Sequence, residues 1–303
     1  MTANLQNPIF TDETKAREWL EARVWPQGPI CPHCGVTGDD VTALEGKAHR
    51  PGLYQCNECR EQFTVTVKTV FERSKIPLTK WLAALFLMTA SKKGVSAHQI
   101  HRSLCISYKS AWFMCHRLRE AMRGGGLAPM GGSGKIIEAD ETMIGRAAEQ
   151  PKNPAGGWAH KNVVLTLVER GGSARSFHIA STTIADIVPV VRQNVRRESH
   201  FMTDEAQHYK ALGKEFTSHG GVAHADKEYV RGDIHTNSIE GAFGLFKRSV
   251  VGAFHQISAK HLPLYLDEFE FRFDNRENPY LFRDTILRLI AAENVEYKEL
   301  IAE

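Results

Sequence analysis

The sequence predicts an α/β protein: a mixed sheet with flanking helices, preceded by a small cysteine-held β module and a helical segment. Three observations predict it. The cysteines include two CxxC pairs, Cys31/Cys34 and Cys56/Cys59. Between about residues 78 and 123, apolar residues recur at helical spacing. After the glycine-rich stretch "GGGLAPMGGSG" at 124–134, apolar strands alternate with amphipathic helices.

The elements follow in order. Residues 11–25, "TDETKAREWLEARVW", read as a short amphipathic helix with Trp19, Leu20 and Val24 as apolar positions and Thr11 as its cap. "PQGPICPHCG" is turn-forming, and "LYQCNECREQFTVTV" alternates like a β-hairpin. The helical block falls into three pieces. "LTKWLAALFLMTAS" ends at Lys92-Lys93-Gly94; "SAHQIHRSLCI" has Ser96 as its N-cap; "SYKSAWFMCHRLREAM" carries Ala111, Cys115, Leu118 and Met122 along one face. Beyond the glycines, "KIIEADETMIG" is a strand ending in acidic residues. "NVVLTLVERGG" and "ARSFHIAS" form a hairpin through Gly171-Gly172. "IADIVPVVRQNV" is a helix, "HFMTDEA" a strand, and "NSIEGAFGLFKRSVV" an amphipathic helix. The tail reads as two more helices, its acidic residues a solvated face or an oligomer contact. The expected organisation is therefore 1–67, N-terminal helix and ribbon; 68–126, helical domain; 127–134, a flexible Gly-rich linker; 135–258, α/β domain; 259–303, helical tail.

Hydrophobic content of 42% with 24% charged residues excludes a disordered chain. The longest apolar run, "WLAALFLMTA", is too short to span a bilayer, so no membrane contact is expected. The N-terminus has no basic region followed by an apolar core, so no secretory signal is expected. Net charge is only +3, but residues 68–126 hold eleven Lys/Arg against two Asp/Glu. One basic segment in a near-neutral chain suggests a localised polyanion contact.

Without a secretory signal, paired cysteines favour a metal over disulfides. The spacing CxxC-x21-CxxC lets two tight turns present Cys31, Cys34, Cys56 and Cys59 to one tetrahedral Zn²⁺. Four protein ligands leave no position for water, so the site is structural. In the basic block, the second and third helical pieces are separated by about "ISYKS", the length of a helix-turn-helix turn. The third would present Tyr108, Lys109, Ser110 and Phe113 first, with His116, Arg117 and Arg119 further along. Lys109, Arg117 and Arg119 are the candidate phosphate contacts; Ser110 or Tyr108 would read a base.

Three carboxylates stand where strands and a helix could gather them. Asp140 lies at the end of the first strand after the glycines, Asp204 ends "HFMTD", and Glu240 lies in the helix of "HTNSIEGAFGLFK". Such a set offers the oxygen ligands that hard divalent cations need, and a metal pair can drive phosphodiester displacement. Glu138 and Glu141, which flank Asp140, are read as turned away from it, in supporting or solvated positions. His235 is read as a helix-start residue or a support for the site. Trp158 and His160 are read as loop residues with a packing role, and Phe243 and Phe246 as core.

Taken together, "CPHCG…YQCNEC", "EADETMIG" and "HTNSIEGAFGLFKRSVVGAFH" resemble the insertion-sequence DDE-type transposases, in the zinc-ribbon-bearing group related to the Merlin elements. The resemblance runs from about residue 15 to 280. It implies a ribonuclease-H-like catalytic core, two Mg²⁺ (or Mn²⁺) ions, binding of terminal inverted repeats, and cutting and joining of DNA; the alternatives are a DNA-binding regulator that has lost catalysis and a metal-dependent nuclease without strand transfer. It puts the triad on Asp140, Asp204 and Glu240, with Asn237 as the alternative third ligand, and matches Lys247 to a basic residue that contacts transposon-end DNA. It further implies a homo-oligomer assembled on DNA and a cytoplasmic, nucleoid-associated location.

Overall fold

The computed structural model describes residues 4–124, 128–145, 161–223, 228, 230–291, 296, 298 and 300. Within these the chain forms two units, residues 1–122 with 277–303, and residues 123–276.

In the first unit, α1 (Glu13–Val24) is capped by Asp12, whose Oδ1 accepts the backbone N–H of Thr14 (2.8 Å) and Lys15 (3.1 Å). The expected cap, Thr11, instead turns its hydroxyl back to the Pro8 carbonyl. The carboxylate sits next to the unpaired first-turn donors and is the better acceptor for them. Leu20 is buried, whereas Trp19 stacks on Phe282 with ring centroids 5.7 Å apart. The ribbon has three antiparallel strands in the order β1 (Val41–Leu44), β2 (Leu53–Cys56), β3 (Gln62–Phe63). Its small core is aromatic, with Trp25 edge-on to both Tyr54 and Phe63.

The three helical pieces are α2 (Leu78–Ala90), α3 (Ala97–Leu104) and α4 (Tyr108–Glu120). Pro77 precedes α2 and has no side-chain oxygen to cap it. The Glu13 carboxylate of α1 does so instead, accepting from Leu78 N (2.7 Å) and Thr79 N (3.1 Å). A negative charge at a helix N-terminus also meets the positive end of its dipole. Ser96 caps α3 as expected, through Gln99 N (3.1 Å). Cys105 ends α3 in the left-handed conformation (φ 49°), and Ser107 starts α4 by accepting from Ser110 N. The last helix, Leu281–Ala291, belongs to this unit, where Phe282 meets Phe10, Trp19 and Phe86.

The second unit is a five-stranded sheet. Its strands are β4 (Ile136–Ile144), β5 (Asn162–Glu169), β6 (Ala174–Ile179), β7 (His200–Asp204) and β8 (Ser218–Val222), in the spatial order β6-β5-β4-β7-β8. Only β5 runs against the others: it pairs antiparallel with β4 and β6, while β4–β7 and β7–β8 are parallel. Helices cover both faces. On one, α5 (Ile184–Asn194) and α6 (Gln207–Leu212) pack Ile187, Val191, Tyr209 and Leu212 against Ile137, Ala139, Leu165 and Phe201. On the other, α7 (Asn237–Ser249) and α8 (Leu262–Asp274) pack Ile239, Phe243, Phe246 and Leu266 against Ile144, Val164 and Val168. Burial on both sides explains why β5 reads as a nearly unbroken apolar run. Each large side chain so buried contributes roughly 1.5–3 kcal/mol.

Two short strands, β9 (Val230–Arg231) and β10 (Ile234–His235), form a small hairpin ahead of α7. A side chain at Gly220 would lie 2.8 Å from both Ile234 and Met202, so its glycine lets this hairpin lie against β8. At the opposite edge of the sheet, the backbone N–H of Ala174 donates to Asp274 Oδ1 (2.8 Å) and that of Ser176 donates to the Glu270 carboxylate. Carboxylates of α8 thus occupy donors of β6 that an incoming strand would need.

The glycine-rich stretch departs from expectation. Residues 125–127 lie outside the described residues, but Met130 is buried in the core of the second unit. It bonds Asn194 O and Arg196 N through its backbone (2.7 and 2.9 Å). Gly132 N donates to Ser199 Oγ, and Gly131 adopts φ 81° where a Cβ would stand 2.1 Å from that hydroxyl oxygen. Gly131 thus gives close approach, not flexibility.

Candidate active site and metal centre

The four ribbon thiols converge. Cys31 and Cys59 Sγ are 3.6 Å apart, Cys34 and Cys56 Sγ 3.5 Å apart, and all four lie within 4.8 Å of one another. A tetrahedral zinc with Zn–S bonds of about 2.3 Å holds its sulfurs roughly 3.8 Å apart, so the set fits a structural Zn²⁺. Burial raises the Cys31 thiol, but backbone N–H groups of Cys34 and His33 and the adjoining thiols outweigh it and bring it down to about 7. At Cys59 the Glu61 backbone N–H is outweighed by burial and by the other three thiols, which push it up to about 12. Thiols this close compete for ionisation, and a shared cation lets all four ligate as thiolates.

The carboxylates are arranged by sheet register. Glu138 of β4 pairs with Met202 of β7 in a parallel ladder. Asp140 and Asp204 each follow that pair by two residues, so both project from the same face of neighbouring strands. They flank the point where strand order reverses, between β4 and β7, and Asp204 is the last residue of β7. In open α/β sheets that is where ligands bind. Both are half-buried. Asp140 Oδ1 accepts the Glu141 N–H (2.7 Å) and Asp204 Oδ1 the Ala206 N–H (3.0 Å), which hold the carboxyl groups in place.

Glu240 lies in the first turn of α7, exposed, its Oε1 accepting from Thr236 Oγ1 (3.2 Å); Asn237, also exposed, opens the helix. Both are carried by α7, which packs on the Asp140 face of the sheet and is also bonded there. The bond runs through Glu138, fully buried, which accepts from Ser238 Oγ (3.0 Å) and Ile239 N (2.9 Å). Glu138 is therefore not turned away from Asp140. Two residues apart on a strand means a shared face, and that parity was the signal available in the sequence. His235 supports the same group: its Nδ1 lies 3.5 Å from Glu138 Oε1 and 3.1 Å from Arg170 Nη2.

Glu141 does point to the opposite face, where the Tyr209 hydroxyl donates to it and His208 Nε2 lies 3.4 Å away. Burial, with the Asp204 charge adding, pushes its carboxyl up to about 7. Burial also holds His208 below its ordinary value, against the Asp204 charge, and drives the Tyr209 phenol well up. Sequence reading missed Tyr209 and His208, since a helix so short gives no periodicity.

The basic block is only partly as expected. Lys109 and Tyr108 are exposed at the start of α4, Tyr108 stacked 4.2 Å from the His98 ring, and Ser110 is half-buried. Arg117 and Arg119 are corrected: they are 6% and 1% exposed. Arg117 Nη1 donates to the carbonyls of Val70 (2.7 Å) and Glu72 (3.1 Å) over the Phe113 ring. Helical periodicity placed these arginines on the helix but could not show that Arg117 would meet the carbonyls of Val70 and Glu72. His116 is buried too. Lys247 is exposed in the last turn of α7, and Phe243 and Phe246 are core as expected. Trp158 and His160 lie outside the described residues.

Comparison with known proteins gives the class of protein: it is a transposase. Two family models match the chain, a transposase zinc-ribbon domain over residues 11–62 and an ISXO2-like transposase domain over residues 131–274. A protein in the transposable element ISH50 of Halobacterium salinarum is 27% identical over 279 residues, covering 87% of this chain and 91% of that protein. A transposase-like protein of Haemophilus influenzae is 30% identical over 93 residues, covering 31% of this chain and 74% of its own length. The chain belongs to the IS1595 family of insertion-sequence transposases. No helix among the described residues is long and apolar enough to cross a membrane.

Proposed function

We propose that this transposase binds the ends of its element and catalyses DNA cleavage and strand transfer in its second unit, a ribonuclease-H-like core. The observation that supports the reading is the pairing of β4 with β7, with Asp140 and Asp204 each two residues past the Glu138–Met202 pair and on one face. The strand order, with β5 alone opposed, supports the fold assignment. Adjacent carboxylates are a donor set for a hard divalent cation, and Asp140, Asp204 and Glu240 would hold Mg²⁺ or Mn²⁺. Bound there, two such ions supply charge that activates the attacking oxygen and offsets charge on the leaving one.

The reaction has two displacements at phosphorus. Water adds to the phosphodiester at an element end, the P–O3′ bond breaks, and a 3′-hydroxyl is freed. That hydroxyl adds to a target phosphodiester, forms the new P–O bond, and releases the target's own 3′-hydroxyl. No covalent protein intermediate arises. The α3–α4 pair, with its three-residue turn, serves as a helix-turn-helix-like reader. Lys109 and Lys247 make phosphate contacts and Ser110 or Tyr108 faces bases; copies of the chain assemble on the DNA.

The test is strand transfer with DNA carrying the element ends. Asp140→Asn and Asp204→Asn should each abolish cleavage and joining while retaining end binding. Retained cleavage in either variant sinks the reading. Glu240→Gln against Asn237→Ala identifies the third ligand: only the variant that removes it should be inactive.

A further inference from the structure

We propose that Glu138 is a positioning residue that fixes the spacing between the strand-borne and helix-borne carboxylates of the catalytic site. The proposal rests on the reading of Asp140, Asp204 and Glu240 given above. Glu138 Oε1 accepts from Arg170 Nε (2.6 Å) and Ser238 Oγ (3.0 Å), and its Oε2 accepts from Ile239 N (2.9 Å). Arg170, just past β5, continues the network. Its Nη1 donates to Asp233 O (2.8 Å) and its Nη2 to His235 O (2.8 Å). One ion pair, its carboxylate buried and its guanidinium half-buried, therefore joins β4, the end of β5, the β9–β10 hairpin and the first turn of α7.

Holding α7 on the sheet does not require this charge. Ile239, Phe243 and Phe246 already bury against β4 and β5, and an apolar residue at 138 could extend that contact. Burying a carboxylate and a guanidinium is costly and is often no better for stability than apolar packing. A hydrogen bond adds what apolar packing lacks, which is direction. By bonding one particular N–H, Glu138 fixes how far α7 is rotated and how far it slides along its axis. The position of that bond in the chain is the point: Glu138 is two residues from Asp140 on the same face, and Ile239 is the residue before Glu240. The carboxylate links the two ligand-bearing elements next to the ligands themselves. Groups that orient metal ligands from behind typically change metal affinity or activity by about 10–100-fold when removed.

The experiment uses the full-length, zinc-loaded chain. Glu138→Gln removes the charge that Arg170 clamps, so the oxygen facing Ile239 N is no longer held in place. Mn²⁺ binding is measured without DNA, by the electron paramagnetic resonance signal of free Mn²⁺; the Mg²⁺ dependence of end cleavage is measured in parallel. Glu138→Gln should weaken Mn²⁺ binding about tenfold and raise the Mg²⁺ needed for half-maximal cleavage similarly. End-DNA affinity should stay unchanged, and excess metal should restore cleavage. Ser238→Ala, which keeps the ion pair, should shift both values in the same direction by less. Should Glu138→Gln not fold, Ser238→Ala decides: wild-type Mn²⁺ affinity in that variant overturns the proposal. Wild-type metal dependence in a folded Glu138→Gln also overturns it, provided that Asp140→Asn is inactive. An active Asp140→Asn would instead overturn the underlying triad.

Discussion

Arg117 and Lys109 lie eight residues apart in one basic helix, and the structure gives them opposite fates. Replacing Arg117 by alanine removes both bonds from Nη1, to Val70 O and Glu72 O, and the cover over Phe113. Hydrogen bonds from a charged donor contribute about 1.5–3 kcal/mol each, and two that share one nitrogen do not add fully. With the lost packing of the aliphatic stem, the cost should be about 3 kcal/mol. For a unit of this size that lowers the melting temperature by roughly 6–12 °C. Lys109→Ala should leave stability within about 0.5 kcal/mol. It should lower the slope of log affinity against log salt by about one unit, as one phosphate contact is lost. The assays are thermal melts and fluorescence anisotropy with element-end DNA from low to high salt. An Arg117→Ala variant that melts like the parent yet loses one unit of salt slope would refute the reasoning. The guanidinium would then meet DNA, and its burial would not describe the bound state.

Cys56→Ser should lower bound zinc from one per chain to none and weaken end binding, because a four-thiolate ribbon depends on its metal for folding; metal analysis beside binding checks both. Gly131→Ala should destabilise the second unit by more than about 1 kcal/mol, since φ is positive and the new Cβ meets Ser199 Oγ; a urea melt measures it. Burial, with the Asp267 charge adding, pushes the Glu270 carboxyl well up. Its folded state then binds a proton that the unfolded chain has released, so stability falls as pH rises above the unfolded carboxyl's value of about 4.5. Glu270→Gln should lose less stability between pH 5 and pH 8 than the parent, by urea midpoints at each pH; equal losses would remove Glu270 as the cause.

Period and spacing made much of this legible in the sequence. The β5–β6 hairpin, α2 to α5 and α7 follow from apolar recurrence, and the cysteine pairs from a spacing that only a shared ion explains. What escaped was set by tertiary contacts or by elements too short to show a period. β8 reads "SHGGV", with glycines where strands prefer branched side chains, and exists because β7 and the β9–β10 hairpin lie against it. Thr11 and Asp12 are both good caps, and only backbone geometry chooses between them. The glycines near 131 look like a tether until Ser199, sixty-eight residues on, is seen against them. Asp140 and Asp204 were legible as strand carboxylates that neighbouring strands could gather; that β4 and β7 are those neighbours, paired through Glu138 and Met202, is a register fact that strand composition does not encode. Glu138 was misassigned although the period-two rule was enough to place it.

The last helix has a bearing on synthesis. Phe282, Ile286 and Leu289 are buried in the ribbon-bearing unit, whose other residues end at Met122. The ribosome makes residues 123–276 before it reaches the segment that completes the unit it began with. That unit therefore waits, its α1 and α2 surfaces uncovered, while the α/β unit emerges and can fold ahead of it. A message truncated after residue 276 would yield an α/β unit with all its described strands and helices, and an unfinished partner. Shortened products of this gene should thus be poor competitors for any site that the ribbon-bearing unit recognises.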